Sequence, residues 1–235
     1  MKKTKKKTAK KTQKKTAKKT ENKMGIYSCE GGDNSDLIKK VSKMYLKPGY
    51  TVADVTYGKG VFWRKVDVGQ FSFFPSDIKT CPKSPHDFRS LPYDDESFDV
   101  VVFDPPYTHN PGNMISDANY LNRATTKGMY HKDIIQLYND GMIEAYRILK
   151  TGGTMWVKCK DEIESSYQRW SHLEIYDIAL KIGLFGKDFF VFVQRNKPVI
   201  QHKNQKHARK NHSYLWVFKK PLSKETKELK RFGII

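Results

Sequence analysis

Apolar positions along the chain fall into two rhythms. Short unbroken apolar runs bounded by turn residues mark buried strands. They are Thr51–Tyr57, which leads into Gly58-Lys59-Gly60, then Phe71–Phe74, Phe98–Phe103 (FDVVVF), Thr154–Lys158 (TMWVK), Phe189–Val193 and Tyr214–Phe218. Between them lie stretches of helical spacing. Leu37–Leu46 carries Lys39, Lys40 and Lys43 on its polar side, with Ser35-Asp36 as the candidate cap and Pro48-Gly49 as the stop. Ile134–Leu149 spaces Ile134, Leu137, Met142, Tyr146 and Leu149 for one face, and Thr151-Gly152-Gly153 ends it. Glu174–Ile182 is followed by Gly183. Strands alternating with helices predict a three-layer α/β fold: a doubly wound, mostly parallel sheet of about seven strands with helices on both faces. The last two strands lack an evident helix between them and read as an antiparallel pair at one edge.

The first residues follow neither rhythm. Residues 2–21 are five tandem Lys-Lys-Thr-Xaa units. Such charge density repels itself and offers no apolar face, so residues 1–23 are expected to be a disordered tail preceding one folded domain, 24–235. The formal net charge is +19, of which the 12 lysines and single acid (Glu21) of this tail supply +11. The remainder is therefore basic in its own right, which points to a polyanionic partner. The tail reads either as a solubilising segment or as a polycation that holds the protein near nucleic acid. Cys29, Cys81 and Cys159 are widely spaced and odd in number, which argues against a disulfide framework or a zinc site. No run is long enough to span a membrane, and no apolar segment follows the basic start as in a secretory signal. A reducing, cytoplasmic setting is expected.

The tetrapeptide Asp104-Pro105-Pro106-Tyr107 directly follows FDVVVF. Proline cannot continue a central strand, so the tetrapeptide must lie at the strand's carboxyl end, where open α/β sheets bind ligands. Its chemistry suits an aromatic amine. The Asp104 carboxylate accepts one hydrogen of an NH2 group and the Pro105 carbonyl the other. Neither proline contributes a competing N–H. The Tyr107 ring offers a stacking surface for a base. Two acceptors aim the amine lone pair at an incoming electrophile by positioning and electrostatics alone. Upstream, the Gly58-x-Gly60 turn after a strand allows close approach of backbone to a ligand. It lacks the Lys-[Ser/Thr] ending of a phosphate loop.

Together the two motifs resemble the amino-methyltransferases that form N6-methyladenine or N4-methylcytosine in DNA. The family's catalytic pattern, [Asp/Asn/Ser]-Pro-Pro-[Tyr/Phe/Trp], is met in full at 104–107. Its cofactor loop, Asp-Pro-Phe-x-Gly-x-Gly, is met at Asp54, Gly58 and Gly60, with Val55 and Thr56 replacing the proline and phenylalanine. The resemblance covers roughly residues 35–220. It implies a Rossmann-like methyltransferase fold and S-adenosyl-L-methionine as cofactor, held by Asp54, Thr56, Gly58 and Gly60. Asp77 falls where the family holds the cofactor ribose, and Asp87 with Phe88 where it reads the cofactor adenine. Asp77 and Asp87 read equally as turn formers or surface acids. Asp at the head of the catalytic motif is associated with adenine enzymes, so N6 of adenine in DNA is the first choice, with base flipping required in a duplex. An RNA adenine-N6 enzyme, a DNA cytosine-N4 enzyme, a protein glutamine-amide enzyme and a catalytically inert nucleic-acid-binding module are the rivals.

No sizeable recognition domain is evident. The basic stretch from Arg195 to His212, with Arg195, Lys203, Lys206, Arg209, Lys210 and His212, is the expected nucleic-acid contact loop; a merely solvated loop is the alternative. Its histidines lack carboxylate or cysteine companions and are not read as metal ligands. Thr108–Lys127 is long for a strand-to-helix connection and reads as a lid over the target base or a plain insertion. Trp63 and Arg64 read as packing and surface residues, and Trp156 and Trp216 as core.

Overall fold

The structure, a computed structural model, describes residues 25–109, 128–194 and 204–234. The lysine-rich tail, most of Thr108–Lys127, and Arg195 and Lys203 lie outside the described residues.

Thirteen elements follow one another: β1 (Cys29–Gly32), α1 (Asn34–Tyr45), β2 (Thr51–Asp54), β3 (Ser72–Pro75), β4 (Phe98–Phe103), α2 (His131–Ile148), β5 (Leu149–Cys159), β6 (Glu162–Glu164), β7 (Tyr167–Arg169), α3 (Ser171–Lys181), β8 (Phe185–Gln194), β9 (His212–Lys219) and α4 (Ser223–Arg231), with two single 3-10 turns between β2 and β3. Seven strands form one sheet in the order β3-β2-β4-β5-β9-β8-β1. All are parallel except β9, which runs against both neighbours. The expected antiparallel pair is therefore β8–β9, and β1 closes it on its outer side.

β4 explains how the sheet is buried. Alternate residues of a strand point to opposite faces. Val101 and Phe103 enter the core under α2 and α3, whereas Val100 and Val102 enter the core under α1. A strand covered on both faces must be apolar throughout, which is why FDVVVF shows no alternation. On one side Ile134, Tyr138, Met142 and Ala145 of α2 and Ile175 and Ala179 of α3 are buried; on the other, Leu37, Ile38 and Val41 of α1 meet Trp63 and Trp156. Trp156 and Trp63 stack at 6.5 Å.

α1 is capped two residues earlier than the pattern indicates. Asp33, not Ser35, is the N-cap: its carboxylate accepts the Asp36 N–H at 3.0 Å, and the Asp36 carboxylate in turn accepts the Asp33 N–H at 3.3 Å. In α2, Gly141 is a packing requirement. A Cβ there would lie 2.4 Å from Phe103 Cζ and 2.8 Å from Phe88 Cδ2. Gly141→Ala gains helix propensity of about 1 kcal/mol, but overpacking costs about 1–3 kcal/mol. A lowered urea midpoint is the expected outcome, and a raised one would show that the rings yield freely.

β2 and β4 are neighbours, with Asp54 opposite Val102. The chain leaves β2 towards β3 on one side and returns to β4 on the other. This reversal opens a crevice at the carboxyl ends of the two strands, and both sequence motifs sit there.

Candidate active site

Thr56 fastens the two motifs together. Its N–H donates to Asp54 Oδ1 at 3.1 Å, and its hydroxyl oxygen accepts the Asp104 N–H at 2.7 Å. The β-branched threonine replacing the family's phenylalanine thus becomes a bridge between the strand ends. Asp54 is 2% exposed, and Trp63 Nε1 donates to its Oδ2 at 2.6 Å. Burial pushes this carboxyl up to about 7, against the hydrogen bonds from Trp63 and Thr56. Trp63, expected only to pack, also supplies the hydrogen bond that satisfies the loop's buried acid. Asp54 accordingly shapes the loop from beneath.

Gly58 and Gly60 have φ of 55° and 68°, a left-handed region that favours glycine. They serve different ends. A Cβ on Gly60 would strike the Tyr57 hydroxyl at 2.5 Å, whereas one on Gly58 would meet nothing nearer than Thr56 O at 3.9 Å. Open space for a ligand therefore lies over Gly58. The segment after β3 braces this turn: Thr80 Oγ1 donates to Gly58 O at 2.7 Å. Asp77 Oδ1 accepts the N–H groups of Lys79 and Thr80 at 2.9 and 2.7 Å, so Asp77 builds the turn beside the crevice.

Asp87 and Phe88 lie between β3 and β4, and both are half-buried. Both Asp87 oxygens accept from the Arg89 guanidinium, at 3.0 and 2.6 Å for the shorter contact of each, and this ion pair holds the carboxyl below its usual range. Phe88 packs edge-on to Phe103 at 5.1 Å.

At the head of the tetrapeptide, Asp104 Oδ1 is sealed from solvent and has no hydrogen-bond partner among the described residues. Burial raises this carboxyl to about 6, and the charge of Lys158 opposes the rise. Lys158, near the end of β5, is 2% exposed. Its ammonium donates to Asn34 Oδ1 at 3.2 Å and lies 5.8 Å from the Tyr107 ring centroid, 5.9 Å from Phe62 and 5.6 Å from Phe192. Burial lowers its own pKa. A fully buried lysine beside a buried carboxylate is the feature the pattern hid, because Lys158 reads as the polar end of an apolar run. Pro105 is buried, and Tyr107 packs against the core.

The segment leaving the motif is tied down by acids of β6. The His109 N–H donates to Glu162 Oε2 at 3.0 Å, and the same carboxylate reaches His131 Nδ1 at 2.8 Å. His131 Nε2 meets Glu174 at 2.9 Å. Burial works against protonation of His131, but the hydrogen bonds to Glu162 and Glu174 prevail and raise its pKa. Next along the chain, buried Asp161 joins His172 Nδ1 at 2.7 Å and the Tyr214 hydroxyl at 3.2 Å.

Of the expected nucleic-acid contacts, Lys206, Arg209 and Lys210 precede β9 on the surface side of the chain. Arg209 Nε donates to Gln205 at 3.3 Å, and Lys210 lies over the Trp170 ring at 5.3 Å. His212 opens β9. It is partly buried and hydrogen-bonded to the Tyr214 hydroxyl at 2.9 Å, and burial and then Lys210 lower its pKa. It extends the Asp161 network and is not held out as a cation.

A family model for DNA methylases matches residues 98–232, more than half of the chain, and spans the tetrapeptide, the Lys158 strand and the basic segment. The chain belongs to this DNA methylase family. Among curated proteins, none matches it. Solved structures share its fold. A protein of Bacillus halodurans C-125 assigned as a methyltransferase superposes with a TM-score of 0.52 at 14% identity, over 81% of this chain and all of its own. A SAM-dependent methyltransferase of Methanosarcina mazei gives 0.47 at 11% identity, over 78% and 98%. A protein of Thermus thermophilus assigned as a DNA modification methylase, crystallised with S-adenosyl-L-methionine, gives 0.41 at 15% identity, over 58% and 52%. At such identities the likeness concerns the fold: the seven-stranded sheet is the methyltransferase variant of the doubly wound architecture. No helix among the described residues is long and apolar enough to cross a membrane.

Proposed function

We propose that the chain methylates the exocyclic amine of a base in DNA, adenine N6 first, with S-adenosyl-L-methionine as methyl donor. The observation that carries this reading is the buried, unpartnered Asp104 oxygen at the carboxyl end of β4, in a chain of the DNA methylase family. A sealed acceptor without a donor costs free energy unless a ligand supplies one, and an exocyclic NH2 group does so.

The open space over Gly58 fits the cofactor, with Asp77 at the rim, where the family places the ribose. When bound, S-adenosyl-L-methionine supplies an electrophilic methyl group. The protein's part is to prepare the amine. Asp104 and the Pro105 carbonyl accept its two hydrogens and turn its lone pair out of the ring plane. Tyr107 stacks on the base, held against Lys158. Thr56 fixes Asp104 by its N–H, so the acceptor does not drift relative to the cofactor loop. Lys158 keeps part of the Asp104 population ionised. Lys206, Arg209 and Lys210, and outside the described residues Arg195, Lys203 and the lysine-rich tail, are proposed phosphate contacts. DNA of the cytoplasm or nucleoid is the expected partner.

The test is product identification. The protein is incubated with labelled S-adenosyl-L-methionine and unmethylated DNA or total RNA, and the digested nucleosides are identified by mass spectrometry. N6-methyladenine in DNA is expected. N4-methylcytosine would keep the mechanism and change the base, whereas label in RNA alone, or in neither, would overturn the DNA assignment.

A further inference from the structure

β6 and β7 form a hairpin that the sequence pattern does not reveal, and its position and surface are informative. Its root is bolted to the catalytic segment. Glu162 accepts the N–H of His109, two residues beyond Tyr107, and Glu164 accepts the His131 N–H at 2.7 Å. Asp161, just before the hairpin, is held by His172 and Tyr214. Arg169, the hairpin's own cation, is committed to Glu164 through Nε and Nη2 at 3.1 and 2.7 Å. The base of the hairpin is therefore rigid and internally satisfied, whereas its tip is not covered.

The turn at the tip places Ser165 and Ser166 at φ of 50° and 67°. Positive φ at both positions is what a two-residue type I′ hairpin turn requires, and it sets the strands in register with Glu164 opposite Tyr167. The turn presents Tyr167, 72% exposed, and the hairpin runs into Trp170, 50% exposed. Lys210 of the basic segment sits on the Trp170 ring at 5.3 Å. Two uncovered aromatic rings and a cation, fixed to the segment that leaves the catalytic motif, match what a nucleic acid offers: base faces beside a phosphate.

We propose that the β6–β7 hairpin is a DNA-contacting element, in which Tyr167 stacks on a base next to the methylated one and the Trp170–Lys210 pair seats the adjoining sugar-phosphate. The proposal rests on the DNA reading above. The rings supply contact without reading sequence. A lone exposed tyrosine would have little meaning. Here the ring, the second ring and the cation are gathered from β7, the start of α3 and the segment before β9, and all are fastened to the catalytic loop.

The experiment compares the full chain with Tyr167→Ala, Tyr167→Phe, Trp170→Ala and Lys210→Ala, using sheared unmethylated double-stranded DNA as substrate and total RNA as competitor. Thermal midpoint and S-adenosyl-L-methionine binding serve as controls for folding. The expected result is a rise of about tenfold or more in KM for DNA in the two aromatic-to-alanine variants. Tyr167→Phe retains the wild-type value, because it keeps the stacking face. Lys210→Ala lowers the slope of log affinity against log salt by about one. Cofactor binding is unchanged in all four. If the parent chain methylates DNA and the alanine variants keep its KM, the hairpin proposal alone falls. If the parent chain methylates no DNA, the functional reading itself falls. Preferential loss of RNA competition in the variants would overturn the choice of DNA as the hairpin's partner.

Discussion

Asp104→Ala is expected to lower methyl transfer by about 10³-fold while leaving S-adenosyl-L-methionine binding and DNA binding close to the parent values. The magnitude is that of removing a preorganised polar group aimed at the charge that develops during reaction. The variant also removes a buried carboxyl that burial pushes up to about 6, so no loss of stability at neutral pH is expected from the charge itself. Asp104→Asn gives the sharper reading. An amide oxygen still accepts one hydrogen from the amine, but it does not titrate. With the native residue, a carboxyl raised to about 6 is ionised above that pH and protonated below it. The rate of the parent enzyme is therefore expected to fall about tenfold per unit as pH drops below 6. In Asp104→Asn the limb disappears and a lower, flat rate remains. Asp54, up at about 7 and tied to Asp104 through Thr56, is the competing source of such a limb. If Asp104→Asn keeps the acid limb, the titrating group is Asp54 and the role given to Asp104 is wrong. The profile is measured as kcat/KM for DNA against pH, which reports the groups of the free enzyme.

How much of this was legible beforehand depended on which physical signal each element carries. The β4 strand is unmistakable because burial on both faces forces six residues to be nearly all apolar, and the prolines fix its end. The helices α2 and α3 show the same logic at helical period. β1 was not legible: Cys-Glu-Gly-Gly has no pattern, and it pairs with β8 through backbone alone. The β6–β7 hairpin is hidden for a similar reason, since its buried β6 residues are Glu162 and Glu164, acids that pack because histidines from distant segments and the hairpin's own Arg169 meet them. α4 buries none of its residues. Within the site, the tetrapeptide and the Gly58 turn follow from local geometry. The Asp87 ion pair was not legible by position, because its partner Arg89 is only two residues on and a pair so close in the chain leaves no sequence period. Lys158 is the most instructive omission. A lysine closing an apolar run normally reaches for solvent; only the three-dimensional closure of Phe62, Tyr107 and Phe192 around it shows that it does not.

That enclosure makes the effect of Lys158→Met specific. Methionine matches the length of the aliphatic stem and suits a ring-lined pocket, and removing a buried charge relieves its desolvation. The thermal midpoint is nevertheless expected to fall at neutral pH, because the Asp104 carboxylate is left buried without its opposite charge, and to recover as the pH drops and Asp104 takes up a proton. Catalysis is expected to behave otherwise. Lys158 is the positive charge that opposes the burial-driven rise of Asp104. Without it the Asp104 carboxyl moves further up, by about one unit or more for the loss of a nearby buried opposite charge. The other groups coupled to Asp104 are Asp54, whose own carboxyl the Asp104 charge pushes up, and Tyr138 and Cys159, which burial pushes up and keeps neutral at working pH. The acid limb of the rate should therefore shift to higher pH, with about a twofold loss at pH 7, about a tenfold loss at pH 5 and recovery at alkaline pH. A uniform loss at every pH, with the limb unmoved, would mean that Lys158 only supports the Tyr107 ring. Combining Lys158→Met with Asp104→Asn separates the two: with nothing left to titrate at position 104, the second substitution should abolish the pH dependence that the first displaced.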